Sequence, residues 1–352
     1  MHADTFEEAK KKSDTIWADL HKSPGKYRVL TGDRPTGPLH IGHLFGTLAN
    51  RVKLQNLGLE TFIVIADYQV LTDRESAGQI AAHVHEILLD YLAVGLDPFN
   101  AKTVIFAHSY IPELNQLLLP FLTLVSVPEL ERNPTVKEEI KAAGINIMNG
   151  AMLMYPVHQA ADILFCKGNL VPVGKDQLPH LELSRKIARR FNDKYGVTFP
   201  EPDALLSEVP VVLGLDGGQK MSKSRNNAIF LKATADETAK LIKGAKTDAQ
   251  RHITYEPDTR PEVANLLRLI SLCTGETPER IAEQIGDQGA GRLKGLLTES
   301  LNAYLEPMRL RRVDFSKDRV LLTQVLQAGN ARAREIAVQT LGELRRAMGM
   351  VY

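Results

Sequence analysis

Along the first half of the chain, short β-branched runs alternate with longer segments whose apolar residues recur every three or four positions. Tyr27–Thr31 reads as a strand, a turn rich in Gly and Pro follows, and a helix begins at about Leu39. Phe62-Ile63-Val64-Ile65-Ala66 predicts a second strand and Ser76–Val94 a helix with apolar positions at helical spacing. Thr103–Ala107 and Leu170–Val173 are further strand candidates. Strands alternating with helices predict an α/β fold, a parallel sheet covered on both faces, whose ligands sit beyond the C-terminal strand ends.

The character changes after Gly217-Gly218. From Asp236 onward helical patterns dominate, broken at Pro257, Gly275, Gly286–Gly291 and Pro307, and no strand is predicted. Three regions result: an N-terminal extension (1–26), a sheet domain (27–224) and a helical domain (225–352). Between Arg309 and Arg346, nine Lys and Arg face four Asp and Glu. Such an excess suits either a solvated helical face or an anionic partner such as RNA.

At 352 residues the chain has room for about two domains. Its 44% hydrophobic and 24% charged residues exclude a disordered or collagen-like chain. A net charge of +1 means that nucleic-acid affinity must come from local patches. Cys166 and Cys273 are too far apart in sequence and too few for a disulfide framework or a cysteine metal cluster. The apolar stretch Asn115–Val127 contains Pro120 and is shorter than the roughly 20 residues of a spanning helix. Residues 1–26 have no apolar core and do not read as a secretory signal, so a soluble cytoplasmic protein is expected.

The segment Thr31-Gly32-Asp33-Arg34-Pro35-Thr36-Gly37-Pro38-Leu39-His40-Ile41-Gly42-His43 follows the first strand and opens a helix. There, backbone N–H groups and the helix dipole converge on an anion. His40 and His43, three apart, project from one face of the first turn. Gly42 removes a side chain and would let a flat group such as a purine approach the backbone. Two imidazoles here suit phosphate oxygens better than a metal, and no metal site is predicted. The same residues would equally form a Gly/Pro turn with two half-buried histidines.

A second basic element, Lys220-Met221-Ser222-Lys223-Ser224, follows Asp216-Gly217-Gly218. Two lysines on a glycine-hinged loop would close over a polyphosphate and neutralise charge as it is displaced. Taken alone, the segment also suits a solvated linker between domains.

Together, His40-Ile41-Gly42-His43 and Lys220-Met221-Ser222-Lys223-Ser224 resemble the signature pair of class I aminoacyl-tRNA synthetases, in the right order and with a sheet domain between them. The resemblance implies a Rossmann-like catalytic domain that uses ATP with Mg2+ to convert an amino acid to its adenylate. Pyrophosphate is released and the amino acid passes to tRNA. It also implies a homodimer whose helical domain reads the anticodon. His40 and His43 would hold phosphate oxygens, Lys220 and Lys223 would brace the leaving pyrophosphate, and Lys137, after Glu129-Leu130-Glu131-Arg132, would reach the phosphates. Around the nucleotide the resemblance places Arg34, Pro35, Thr36, Gly42, Gly174, Lys175, Asp176, Val211, Met221, Ser222 and Ser224. Around the amino acid it places Leu30, Gln69, Tyr155, Gln159, Asp162 and Gln177.

Val171-Pro172-Val173-Gly174-Lys175-Asp176-Gln177-Leu178-Pro179-His180-Leu181-Glu182-Leu183, with Arg190-Phe191-Asn192 after it, resembles the tryptophanyl branch. The resemblance runs from about Val29 to Met348. In Tyr155-Pro156-Val157-His158-Gln159-Ala160-Ala161-Asp162, Pro156 suits a first helical turn. Tyr155, Gln159 and Asp162 share one helical face. A carboxylate there can accept from an indole N–H, which only donates, and a pocket built on that bond rejects analogues lacking it. The alternative is the polar outer face of a surface helix. Tyr-x-x-x-Gln-x-x-Asp also fits the tyrosyl branch, where a phenol O–H would use Asp162, whereas apolar Leu30 suits the wall of an indole slot. Tryptophan with tRNA(Trp) is the expected substrate pair and tyrosine the alternative.

Nucleotidyltransferases that form dinucleotide cofactors also carry H-x-G-H, but usually without the lysine-rich motif. A non-catalytic paralogue is a third reading, which the presence of His40, His43, Lys220 and Lys223 does not favour. His180-Leu181-Glu182 mimics the H-x-E of zinc deaminases, but no C-x-x-C follows, so His180 reads as a helix residue after the Gly174–Gln177 turn.

Overall fold

The structure, a computed structural model, describes residues 3–72, 79–143, 148–207, 209 and 211–352. Five strands, β1 (Arg28–Asp33), β2 (Glu60–Ile65), β3 (Thr103–Ala107), β4 (Leu170–Val173) and β5 (Asp203–Leu206), form one sheet in the order β3-β2-β1-β4-β5. Every pairing is parallel. The order reverses between β1 and β4, the crevice where ligands of such α/β sheets bind.

Before and between the strands run α1 (Ala3–Leu20), α2 (Ile41–His43), α3 (Ala49–Asn56), α4 (Ile80–Val94), α5 (Pro112–Leu122), α6 (Val127–Glu131), α7 (Pro134–Ala143), α8 (Gly150–Leu164) and α9 (Leu178–Tyr195). After β5 come α10 (Ala235–Lys243), α11 (Pro261–Thr274), α12 (Pro278–Ile285), α13 (Gly289–Ser316) and α14 (Arg319–Ala347). Among the described residues, no helix is long and apolar enough to cross a membrane.

Strand side chains alternate between the two faces. Ile63, Ile65 and Ile105 join a core with α4, α11 and α13, while Phe62, Val64, Val104 and Phe106 join another with α5, α8 and α9. A third cluster, around Ile16, Trp17 and Leu20 of α1, covers Val29, Leu170 and Leu205. The extension thus orders against the sheet: Leu206 N–H of edge strand β5 donates to Ser13 Oγ at 2.9 Å.

The opposite edge is closed by α14. Its Leu322 and Val325 belong to the α4 side, and its Ala333, Ile336, Ala337, Leu341 and Leu344 to the α5 side. The crossing point is Gly329, where a Cβ would lie 1.7 Å from Ile105 O. The next residue, Asn330, accepts the Ala107 N–H on Oδ1 at 2.9 Å. The helical region therefore packs back on the sheet, and one apolar cluster runs across residue 224.

Several sequence expectations shift. The strand expected over Tyr27–Thr31 runs from Arg28 to Asp33, and the one expected over Phe62–Ala66 from Glu60 to Ile65. Leu39 does not open a helix: it pairs in extended form, Leu231 N–H donating to Leu39 O at 2.9 Å, and the helix begins at Ile41. The predicted helix over Ser76–Val94 is described from Ile80, with Ser76–Gly78 outside the described residues. Pro156 lies inside α8, because Asn149 caps that helix earlier, accepting Met152 N–H at 2.8 Å.

The basic excess of Arg309–Arg346 is partly consumed internally. Arg309 donates to Ala233 O, Arg311 to Ala93 O, and Arg312 to Asp90 and Glu86. Arg334 pairs with Glu113 and Arg345 with Gln116. Arg311, Arg312, Arg334 and Arg345 thus tie helices to the sheet domain, while Arg311, Lys317, Arg319, Arg332, Arg334, Arg345 and Arg346 are exposed, as a solvated face requires.

Candidate active site

The two signature segments meet. Ile41 N–H donates to Ile229 O at 3.0 Å, and a bridge joins His40 to Phe230. Lys223 Nζ donates to Gly37 O at 2.7 Å and reaches Thr36 Oγ1 at 3.3 Å. The lysine-rich loop thus closes directly on the turn after β1. It leaves a hairpin in which Met221 N–H donates to Val212 O and Gly214 N–H to Gln219 O. Ser222 N–H is held by Asn227 Oδ1 at 2.8 Å.

Of the two glycines in the expected hinge, Gly218 is exposed with open space around it and Gly217 is packed. Gly217 has φ 77, its N–H donates to Gly214 O, and a side chain there would meet Glu262 at 2.0 Å. Gly42 also has a local reason: a Cβ would lie 2.9 Å from the His40 ring and 3.4 Å from Met221, so packing alone favours glycine there.

His40 caps its helix, and its backbone N–H donates to His43 Nδ1 at 3.2 Å. His43 Nδ1 is therefore an acceptor, which places the ring proton on Nε2. The two rings lie 3.8 Å apart. Burial, then the neighbouring His43 and the two lysines, push His40 down to about 2. Burial lowers His43 to about 4, partly opposed by Asp33. Both imidazoles are therefore neutral at pH 7, able to donate a hydrogen bond without carrying charge.

Behind them lies a pair that sequence reasoning missed. Arg51, 1% exposed, donates to Asp33 Oδ2 at 2.6 Å and to Gly32 O at 3.1 Å. Tyr91 O–H donates to the same Asp33 oxygen at 2.8 Å. Burial alone would raise the Asp33 carboxyl, but the Arg51 charge holds it down to about 2. A second missed acid, Asp90, accepts Leu39 N–H on Oδ2 and Arg312 Nε–H on Oδ1, at 2.7 and 2.8 Å. It ties α13 to the start of the histidine segment.

On the other side of the crevice, Tyr155, Gln159 and Asp162 lie on α8, which is buried along much of its length and is not a surface helix. Tyr155 O–H meets His180 Nε2 at 3.1 Å, and Asn133 Nδ2–H donates to His180 Nδ1 at 3.2 Å. Burial lowers His180 to about 4, so this histidine is a neutral link between α8 and the start of α7. Asp162 is 2% exposed and already engaged: His108 Nε2 stands 2.5 Å from its Oδ1. His108, His158 and Asp162 bring ligand-type atoms within 4.8 Å of one another. Leu30 is buried in the core cluster that includes the inner face of α8.

Of the remaining predicted residues, Gln69 follows β2 and is half-buried, while Pro35 is buried beside half-buried Arg34. Gly174–Gln177 form a turn after β4, where Gln177 Nε2–H donates to Asp176 Oδ2 at 3.2 Å. The Lys175 and Ser224 side chains lie outside the described set. Lys137 is exposed near the start of α7, Lys220 on the loop and Val211 before the hairpin.

The family profile described as "tRNA synthetases class I (W and Y)" matches residues 22–306. The chain belongs to this family. The synthetase is 44% identical over 333 residues to the tryptophan–tRNA ligase of Clostridium longisporum, covering 92% of this chain and 97% of that one. It is 41% identical over 344 residues to the tryptophan–tRNA ligase of Treponema pallidum, covering 92% and 97%. The tryptophanyl-tRNA synthetase of Campylobacter jejuni, solved with ADP and tryptophan, is similar in structure, with a TM-score of 0.79, 30% identity, and coverage of 92% and 99%. The order of strands and the meeting of the two motifs agree with membership of this synthetase family.

Proposed function

We propose that this enzyme is a tryptophan–tRNA ligase that joins tryptophan to ATP as tryptophanyl-adenylate, releases pyrophosphate and transfers tryptophan to tRNA(Trp). The observation that carries this reading is the Lys223 contact with Gly37 and Thr36, which brings a cationic loop and the histidine turn to one cleft. Similarity to tryptophan–tRNA ligases along 92% of the chain favours tryptophan over tyrosine.

The amino-acid carboxylate attacks the α-phosphorus and pyrophosphate leaves, so the protein positions reactants and stabilises charge. His43 Nε2–H and His40 hold phosphate oxygens, and Lys220, Lys223 and Lys137 neutralise the departing pyrophosphate. Arg34, Pro35, Thr36, Gly42, Gly174, Lys175, Asp176, Val211, Met221, Ser222 and Ser224 surround the nucleotide. The lysines of the loop beside the histidine turn suit a polyphosphate, and Mg2+ would enter on the triphosphate and neutralise its oxygens. Asp162 accepts the indole N–H, Leu30 walls the ring, and Tyr155, Gln159, Gln177 and Gln69 hold the amino-acid polar groups.

Residues 27–224 form the catalytic domain, 225–352 read the tRNA anticodon, and the enzyme works as a cytoplasmic homodimer. Pyrophosphate exchange with each amino acid in turn tests the reading. Tryptophan-dependent exchange is expected; exchange driven by tyrosine alone overturns it.

A further inference from the structure

His108 leaves β3 at the C-terminal edge of the sheet and is fully buried. Its ring is fixed from several sides. Tyr68 stacks on it at 6.3 Å between centroids, and His158 packs at 4.7 Å. Ser109, the next residue, donates its backbone N–H and its hydroxyl to Asp67, at 3.0 and 2.5 Å. Burial keeps the His158 imidazole neutral.

An ionised carboxylate only accepts, so His108 Nε2 donates to Asp162 Oδ1. The separation of 2.5 Å is shorter than the roughly 3.3 Å between two ligand atoms on one tetrahedral zinc, so these atoms form a hydrogen bond and not a cation site. His108 Nδ1 is buried without a hydrogen-bond partner among the described residues. An aromatic hydrocarbon ring of similar size would fill this space without that cost, so what the imidazole adds here is the bond on its other nitrogen.

We propose that His108 is a positioning residue for amino-acid selection. By occupying Oδ1 it fixes the rotation of the Asp162 carboxylate and leaves the second oxygen to meet one incoming donor, the indole N–H. Discrimination then depends on the His108–Asp162 pair, because an untethered carboxylate can turn away when no donor arrives. This inference rests on the assignment of tryptophan above.

The test compares pyrophosphate exchange with tryptophan and with 3-benzothienylalanine, in which sulfur replaces the N–H. The unmodified enzyme should prefer tryptophan by roughly a hundredfold or more in kcat/KM. His108→Leu should cut that preference by about tenfold or more, through the KM for tryptophan, with the KM for ATP unchanged. His108→Gln, whose amide N–H reaches as far as Nε2, should restore it. His108→Asn, too short to do so, should not, and this polar pair decides the matter even if the leucine variant fails to fold. Unaltered preference in the leucine and asparagine variants overturns the inference alone. Absence of tryptophan-dependent exchange in the unmodified enzyme overturns the proposed function as well.

Discussion

Lys223 Nζ lies 2.7 Å from the carbonyl oxygen of Gly37. One cation of the loop thus reaches the turn that precedes the two histidines. Lys223→Met should lower the rate of pyrophosphate exchange by roughly 10²–10³, the scale for removing one preorganised stabiliser of developing charge. Urea unfolding should change by about 1–3 kcal/mol, because Lys223 Nζ donates partly buried hydrogen bonds to Gly37 O and Thr36 Oγ1. A variant with normal exchange would remove Lys223 from the reaction.

Acid stability follows from the depressed imidazoles. In the unfolded chain a histidine titrates near 6.5, whereas His43 holds off protonation to about 4. The unfolded state therefore binds more protons between those values, so the contribution is fully present above pH 6.5 and is lost as pH falls toward 4. His43→Asn, whose side-chain oxygen can still accept His40 N–H, should flatten this fall by about 1–3 kcal/mol. Urea titrations of both proteins at pH 7 and pH 4.5 measure the difference.

The Asp33–Arg51 pair is buried and shares its acid with Tyr91. Arg51→Met leaves the Asp33 carboxylate with the Tyr91 hydroxyl but no counter-charge and should destabilise the fold by about 3–5 kcal/mol. The double variant Asp33→Asn with Arg51→Met should recover a large part of that loss. A double-mutant cycle by urea unfolding reads the coupling, and simple additivity would contradict the geometry.

At Gly329 the added Cβ of alanine would stand 1.7 Å from Ile105 O, a strand backbone atom that cannot swing aside. Gly329→Ala should therefore cost more than about 3 kcal/mol, visible as a large fall in melting temperature. Asn330→Ala, which strips the partner from Ala107 N–H, should cost about 1–3 kcal/mol.

The strands β1 to β4 were legible because Val, Ile, Leu and Phe cluster between turn residues, and the two motifs revealed the reaction. Strand β5 escaped because Asp203-Ala204-Leu205-Leu206 is short, lacks β-branched residues and is held by its neighbour β4 and by α1. Pro156 misled for a related reason: proline favours a first turn, but Asn149 supplies an earlier start. The parts of the site that stayed hidden, His108 with Asp162, Arg51 with Asp33 and Arg312 with Asp90, are pairs separated by 54, 18 and 222 positions. None has a local spacing rule, since only the folded sheet brings the partners together.

The passage of α14 around the sheet margin has a consequence for biosynthesis. Ala107 and Asn330 are 223 positions apart, so β3 emerges from the ribosome long before the helix that shields it. At about 5–20 residues added per second, that strand waits on the order of ten seconds or more with its flank open. During this interval nascent chains are vulnerable to pairing with one another, and chaperone dependence should be concentrated there.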